Sequence, residues 1–228
     1  MAAVHLRKVR SFVRRPGRLT PAQRRALDEL LPRFAIPAGD APIDWRQAYG
    51  RDAPRVAEIG FGDGEALLTS AANHPEIDYV GIEVHEPGIG HLCLLLERAG
   101  VGNVRIIDKD AADVLPARFA DACLDAVNLF FPDPWPKKRH HKRRLVQPAF
   151  VAELARVLKS DGLFHLATDW PDYAAHAQAM LQGHRSFDAI DAASLALDPF
   201  AFRPPTKFER RGRRLGHDVV DLYYRKRG

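Results

Sequence analysis

Glu58-Ile59-Gly60-Phe61-Gly62-Asp63-Gly64 is the stretch on which the reading of the fold turns. It closes a short apolar run, Arg55–Ile59, and leads directly into a helical pattern over Gly64–Asn73. Glycines at alternate positions permit a tight turn and let a ligand come close to the backbone, and a helix start supplies N–H groups that lack intrahelical partners. A strand, a glycine turn and a helix in that order imply an α/β unit with a nucleotide-like ligand. Dinucleotide sites use a G-x-G-x-x-G spacing that seats a pyrophosphate on the helix dipole. Here the spacing is E-x-G-x-G-x-G, and an acidic strand residue would repel a pyrophosphate. It suits a ligand carrying an ammonium or sulfonium group.

Outward from this turn, apolar runs alternate with helical patterns. Arg55–Ile59, Asp78–Glu83, Val104–Asp108, Leu124–Phe130 and Leu163–Thr168 read as strands, apolar on both faces as buried parallel strands are. Gly64–Asn73, Glu86–Ala99, Asp110–Leu115, Pro148–Leu158 and Trp170–Leu181 read as helices, with Gly100, Gly102 and Asp161-Gly162 as turn signals. The fold class expected is α/β, a single doubly wound and mostly parallel sheet. Phe187–Ile190 and Val219–Tyr224 are expected to close it as an antiparallel C-terminal edge pair. Residues 1–54 carry no strand signal; Thr20-Pro21 predicts a capped helix to about Leu31, broken by Pro32, Pro37 and Pro42. The expected organisation is a basic N-terminal arm and helical extension over 1–54 and one domain over 55–228.

A chain of 228 residues, 46% hydrophobic and 28% charged, buries a real core. Its net charge of +5 conceals an uneven distribution. Residues 1–25 hold 8 Lys/Arg and no acid, residues 137–144 hold 6 and no acid, and residues 203–228 hold 9 against 3 acids. These segments total +20, leaving −15 on the other 169 residues: an acidic body with three basic attachments. Cys93 and Cys123 lie among apolar residues and read as structural thiols; no Cys/His cluster suggests a metal, so none is expected. No apolar run approaches the length of a signal peptide core or a membrane span, so a cytoplasmic protein without membrane attachment is expected.

The second strand ends at Glu83, about 20 residues after the glycines, where a carboxylate accepts hydrogen bonds from ribose hydroxyls. Asp110 follows the third strand, placed to receive an adenine amino group. Glu58, Glu83, Asp110, Gly60, Gly62 and Gly64 thus sit at the carboxyl ends of successive strands, where open α/β sheets bind ligands. Ribose binding fits either a nicotinamide dinucleotide or S-adenosylmethionine. Strand four runs into Phe131-Pro132-Asp133-Pro134-Trp135-Pro136, a proline-stiffened loop at the same sheet edge, similar to the Asn/Asp-Pro-Pro-aromatic loop of amino-directed methyltransferases. Lys137-Lys138-Arg139-His140-His141-Lys142-Arg143-Arg144 follows without a gap, placed to hold nucleic-acid phosphates near that loop.

With these segments the chain resembles the bacterial tRNA (guanine-N(7)-)-methyltransferase family, class I S-adenosylmethionine-dependent enzymes with a Rossmann-like sheet. The resemblance includes Arg10–Arg18, Glu58–Gly64, Gly81-Ile82-Glu83-Val84-His85 with Pro87-Gly88, and Phe131–Trp135 with its basic sequel. It continues through Ala167-Thr168-Asp169-Trp170 and Thr206-Lys207-Phe208-Glu209-Arg210-Arg211-Gly212. It implies methylation at N(7) of guanine 46 in the tRNA variable loop. Carried over, Glu58, Glu83, Asp110 and Asp133 bind S-adenosyl-L-methionine, with Asp133 catalytic. Lys137, Asp169, Thr206, Lys207, Phe208 and Glu209 hold the substrate, and Arg139, His140, His141, Lys142, Arg143 and Arg144 contact tRNA. The partners expected are a tRNA and, for a homodimer rather than a monomer, a second copy of the chain.

Overall fold

The computed structural model describes residues 18–207, 209, 210, 216 and 218–228. Seven strands form one sheet: β1 (Arg55–Ile59), β2 (Asp78–Ile82), β3 (Val104–Ile107), β4 (Leu124–Phe130), β5 (Leu158–Thr168), β6 (Phe187–Ile190) and β7 (Val220–Lys226). Their order is β3-β2-β1-β4-β5-β7-β6, and β1 to β5 are mutually parallel. The order reverses between β1 and β4, so the loops leaving those two strands diverge and open a crevice above their carboxyl ends. β7 runs antiparallel between β5 and β6, as expected for a closing edge pair.

The strands are apolar on both faces because helices cover both. Alternate residues of each strand point opposite ways. Ala57, Ile59, Val80, Ile82, Val127, Leu129, Phe164 and Leu166 face α3 (Trp45–Tyr49), α6 (Ala111–Arg118), α7 (Pro148–Val157) and α8 (Pro171–Gln182), through Trp45, Leu115, Leu154 and Tyr173 among others. Val56, Tyr79, Val104, Ala126 and Leu163 face α1 (Pro21–Glu29), α2 (Leu31–Phe34), α4 (Glu65–Asn73) and α5 (Glu86–Ala99), through Ala26, Phe34, Leu67 and Leu92 among others. Cys93 and Cys123 are free and buried, and burial pushes the Cys93 thiol up to about 12.

The N-terminal extension passes from one face to the other around the β3 edge. α1 starts in a capping box: the Gln23 N–H donates to Thr20 Oγ1 and the Thr20 N–H to Gln23 Oε1. Its Gln23 amide also donates to the Pro87 carbonyl at the start of α5, at 3.0 Å. The chain then bridges β3 at Ala35, where the Ile36 N–H donates to the Ile106 carbonyl, and is held on the far face by Arg118 on the Ala41 and Pro37 carbonyls.

One expectation of the fold changes. Asp161-Gly162, read as a turn before the fifth strand, lies inside β5. Asp161 takes a left-handed φ of 61° and the β4–β5 register shifts there, so the signal marks a bulge that lets the strand start at Leu158. The basic run after the proline loop is ordered as a 3₁₀ helix over Lys138–Arg143. Arg10–Gly17 of the basic arm, Phe208 and Arg211-Gly212 lie outside the described residues.

Candidate active site

The glycine turn leaving β1 has the backbone its sequence requires. Gly60, Gly62 and Gly64 all have φ between 62° and 79°, a region that costs other residues strain. A Cβ at Gly60 would meet nothing within 4 Å, so among the described residues none fills the position next to that backbone. A Cβ at Gly64 would press on Leu92 at 2.7 Å, and one at Gly88 would overlap the Gly62 carbonyl oxygen. The turn is therefore wedged against the N-terminal half of α5, the helix on which α1 also rests. That second glycine helix start, Pro87-Gly88, is part of the turn's support.

Glu58 and Glu83 hold the turn in different ways. Glu58 is 3% exposed, and burial together with the nearby Asp63 and Glu83 carboxylates pushes its carboxyl up to about 8. Glu83 accepts the Gly62 N–H through Oε2 at 2.9 Å and the Val84 and His85 N–H groups through Oε1 at 2.7 and 3.0 Å. The sequence points Glu83 at a ribose; what the structure shows is a clamp that shapes the glycine turn. Asp110 caps α6 by accepting the Ala112 N–H and lines a cleft of about 370 Å³ together with Lys109, Ile107 and residues 35–39 of the extension.

The proline loop leaves β4 beside this turn, since Glu58 and Ile59 pair with Asn128 and Leu129. Its two ends are strained: Phe131 and Trp135 have φ of 50° and 45°, unusual for residues with bulky side chains. The Phe131 N–H is tied to the Ala167 carbonyl of β5 at 2.7 Å, which sets the loop beside Asp169. Trp135 lies under the Arg143 guanidinium, 3.9 Å from the ring centroid, and edge-on to His140. Asp133 is exposed between these two strained residues, and Lys137 is exposed just beyond.

Arg144 departs from the surface role expected of the basic run. Its side chain is 1% exposed; it donates to the Pro134 carbonyl at 3.0 Å, is ion-paired with Asp172 and lies over the Tyr173 ring. The guanidinium thus anchors the proline loop to α8 from inside. Arg139, Lys142 and Arg143 of the same run are exposed or half-exposed.

The C-terminal motif docks on the glycine turn. Lys207 pairs with Asp63 at 2.5 Å and Arg210 with Glu65 at 3.2 Å, joining Thr206–Arg210 to the start of α4. Glu209 is buried, its N–H donating to Thr206 Oγ1 and its carboxylate ion-paired with Arg203. Arg225 and Arg227 pair with Asp198 and Asp188, so these cations of the basic tail neutralise the body they belong to. Asp63, Glu65 and Arg203 were not singled out in the sequence, and Arg144 was read there only as a tRNA contact; single charges in loops carry no spacing signal, and only the fold shows what they meet. Glycine turn, Glu83, proline loop, Asp169 and the described residues Thr206, Lys207 and Glu209 converge at one sheet edge.

Residues 52–222 match the family model described as a putative methyltransferase. A tRNA (guanine-N(7)-)-methyltransferase of Alkalilimnicola ehrlichii is 55% identical, covering 99% of this chain and 96% of the relative. The chain belongs to the tRNA (guanine-N(7)-)-methyltransferase family. Enzymes of the same description from Nitrosococcus oceani and Burkholderia mallei are 50% and 52% identical over 96% and 98% of the chain, covering 92% and 84% of their own lengths. Solved structures similar in fold include the 16S rRNA methyltransferase KamB, with a TM-score of 0.59 at 15% identity over 82% of this chain and 95% of that one. An antibiotic-related methyltransferase matches with a TM-score of 0.57 at 16% identity over 87% of this chain and 99% of that one. As a methyltransferase of this family the chain has the mostly parallel, class I sheet of those structures. No helix among the described residues is long and apolar enough to cross a membrane.

Proposed function

We propose that this methyltransferase transfers the methyl group of S-adenosylmethionine to N(7) of guanine 46 in the tRNA variable loop. The observation that carries this reading is the convergence of the Gly60–Gly64 cradle and the strained Phe131–Trp135 loop above adjacent strands. The residues fit the donor: open space beside Gly60 admits a ligand against the backbone, and a buried Glu58 suits a cationic group rather than a phosphate. Glu58, Glu83, Asp110 and Asp133 would hold the donor, and when bound it supplies an electrophilic methyl on a sulfonium. The proposed organisation is one catalytic domain over 55–228 with residues 1–54 as its extension.

Guanine N(7) has a lone pair and no proton to lose, so no general base is needed. Positioning dominates. Asp133 orients the guanine and, as an anion, stabilises the positive charge that develops on the purine. Asp169 and Glu209 accept hydrogen bonds from the guanine N(1)–H and amino edge. Lys137 and Thr206–Glu209 hold the nucleotide, while Arg139, His140, His141, Lys142 and Arg143 meet phosphates, a role that the buried Arg144 does not share. N(7) lies on the Hoogsteen edge, so the base leaves its tertiary pairing before transfer.

The test is transfer of tritiated methyl from S-adenosylmethionine to unmodified tRNA, with the product mapped by chemical cleavage at 7-methylguanosine. Label at position 46, lost when that guanine is replaced by adenine, is expected. Label elsewhere, or none, would refute the assignment.

A further inference from the structure

A buried charged relay runs beneath the candidate site and ends on Glu209. His165 in β5 is fully buried, and its Nε2 lies 2.8 Å from Asp221 Oδ1 in β7, so that nitrogen carries the proton. The ring stacks on Tyr223 with centroids 4.1 Å apart and meets Phe130 edge-on. Asp221 in turn accepts two parallel hydrogen bonds from Arg203, Nε to Oδ1 at 2.8 Å and a terminal nitrogen to Oδ2 at 3.0 Å. The other terminal nitrogen of Arg203 donates to Glu209 Oε2. The guanidinium also sits 5.9 Å from the centroids of both Phe130 and Phe131, the residues that join β4 to the proline loop.

A buried carboxylate needs a partner, and a bidentate guanidinium fixes that partner's plane as well as its charge. Arg203 has three directions set at once: two by the Asp221 carboxylate, itself oriented by His165, and one by the aromatic pair. The remaining donor edge then has one orientation, and Glu209 takes it. The flanking Lys207–Asp63 and Arg210–Glu65 pairs lie on exposed or half-exposed side chains and hold the segment loosely. Precision at Glu209 comes from below.

We infer that Arg203 is a positioning residue for methyl transfer, presetting the Glu209 carboxylate for the guanine edge through the Asp221–His165 pair. This rests on the function proposed above, in which Glu209 meets the base. Arg203 itself touches neither substrate nor donor.

The experiment is a double-mutant cycle between Arg203→Met and Glu209→Gln in the full chain. It reads kcat with saturating unmodified tRNA and S-adenosylmethionine, and donor affinity by calorimetry. Misplacement of a positioning group on the scale of 1 Å costs on the order of 100-fold, so each single variant is expected to lose about 10- to 100-fold in kcat. If Arg203 acts through Glu209, the double variant falls within about twofold of Glu209→Gln alone, since coupled residues do not add. Donor affinity is expected to stay within about twofold in every variant. Arg203→Lys keeps one cation for Glu209 but lacks the fork that engages Asp221, and its kcat is expected to lie between wild type and Arg203→Met. Losses that multiply in the double variant, or an unchanged kcat in Arg203→Met, would overturn the proposal. So would loss of donor binding in both Arg203 variants, which would make the residue purely structural. A wild-type protein that methylates no tRNA overturns the proposed function itself, whereas an active wild type with multiplying losses overturns only the role of Arg203.

Discussion

Replacing Glu58 by Gln should change how donor binding depends on pH, in a way that can be worked out from burial. The carboxyl is 3% exposed and, through burial and then the Asp63 and Glu83 charges, titrates at about 8. At pH 7 the unliganded protein therefore carries Glu58 mostly protonated. Pairing with a cationic ligand requires the carboxylate, so binding expels about 0.9 proton per ligand at pH 7. Relative to Glu58→Gln, wild-type affinity should rise about tenfold, or about 1.4 kcal/mol, per pH unit from 6 to about 7.5, and level off above 8. The donor's own amino group titrates in the same range, which is why the ratio of wild type to variant is the quantity to follow. Calorimetry in two buffers of different ionisation enthalpy measures the proton count directly. A ratio that stays flat from pH 6 to 8, with no buffer dependence, would refute the assignment of Glu58 to a cationic group.

The same shift predicts a stability effect of fixed sign. In the unfolded chain Glu58 titrates near its ordinary 4.5, so from there to about 8 the unfolded state releases a proton that the folded state keeps. Unliganded stability therefore falls as pH rises across that window, with a ceiling of about 5 kcal/mol above pH 8. Glu58→Gln should recover about 2 kcal/mol of it in denaturant titrations at pH 8.5, the buried amide retaining part of the desolvation cost.

Asp133→Ala should abolish methyl transfer while tRNA binding by filter retention persists; full activity in the variant would remove Asp133 from the catalytic role. Gly88→Ala places a methyl on the Gly62 carbonyl oxygen and should weaken donor affinity with a loss of about 1–3 kcal/mol in stability, whereas an unperturbed variant would show that the turn is not wedged. Arg144→Met leaves the Pro134 carbonyl without its donor while the exposed Asp172 is free to hydrate, and should cost about 1 kcal/mol with an unchanged salt slope for tRNA binding. Arg139→Met and Lys142→Met, on the exposed side of the same run, should each reduce that slope by about 0.7–0.9 without loss of stability. Removing residues 1–18 should flatten the slope as well, and an unaltered slope would separate the arm from RNA binding.

The order of strands and helices was legible because each buried strand is a compact apolar run and each junction carries glycine, proline or an acidic cap. The cradle was legible for the same reason: glycine adopts the positive φ of Gly60, Gly62 and Gly64 without the strain that other residues pay there. What the sequence hid is pairing at a distance. Nothing near Arg144 marks it as the one member of a basic run that turns inward onto Asp172, 28 residues on. Nothing near Lys207 points to Asp63, and the basic tail reads as an RNA-binding surface until Arg225 and Arg227 are seen against Asp198 and Asp188. Asp161-Gly162 misled because a left-handed residue serves a bulge as well as a turn. Glu83 reads from its place in the sequence as a ribose ligand, and only its three backbone partners reveal that it clamps the turn.

The strap that crosses the β3 edge has a consequence for the order in which the chain can assemble. Residues 21–43 are synthesised before Pro87, Ile106 and Arg118, to which they fasten. The segment therefore stays undocked until the chain has been made past Arg118. Closing this clasp is then a late step, one that seals the outer strand against pairing with other chains and seats α1 on the helix that braces the glycine turn. A mutation that loosens the clasp, such as Gln23→Ala, should act mainly by speeding local opening of that edge, leaving the sheet centre at β1 and β4 intact.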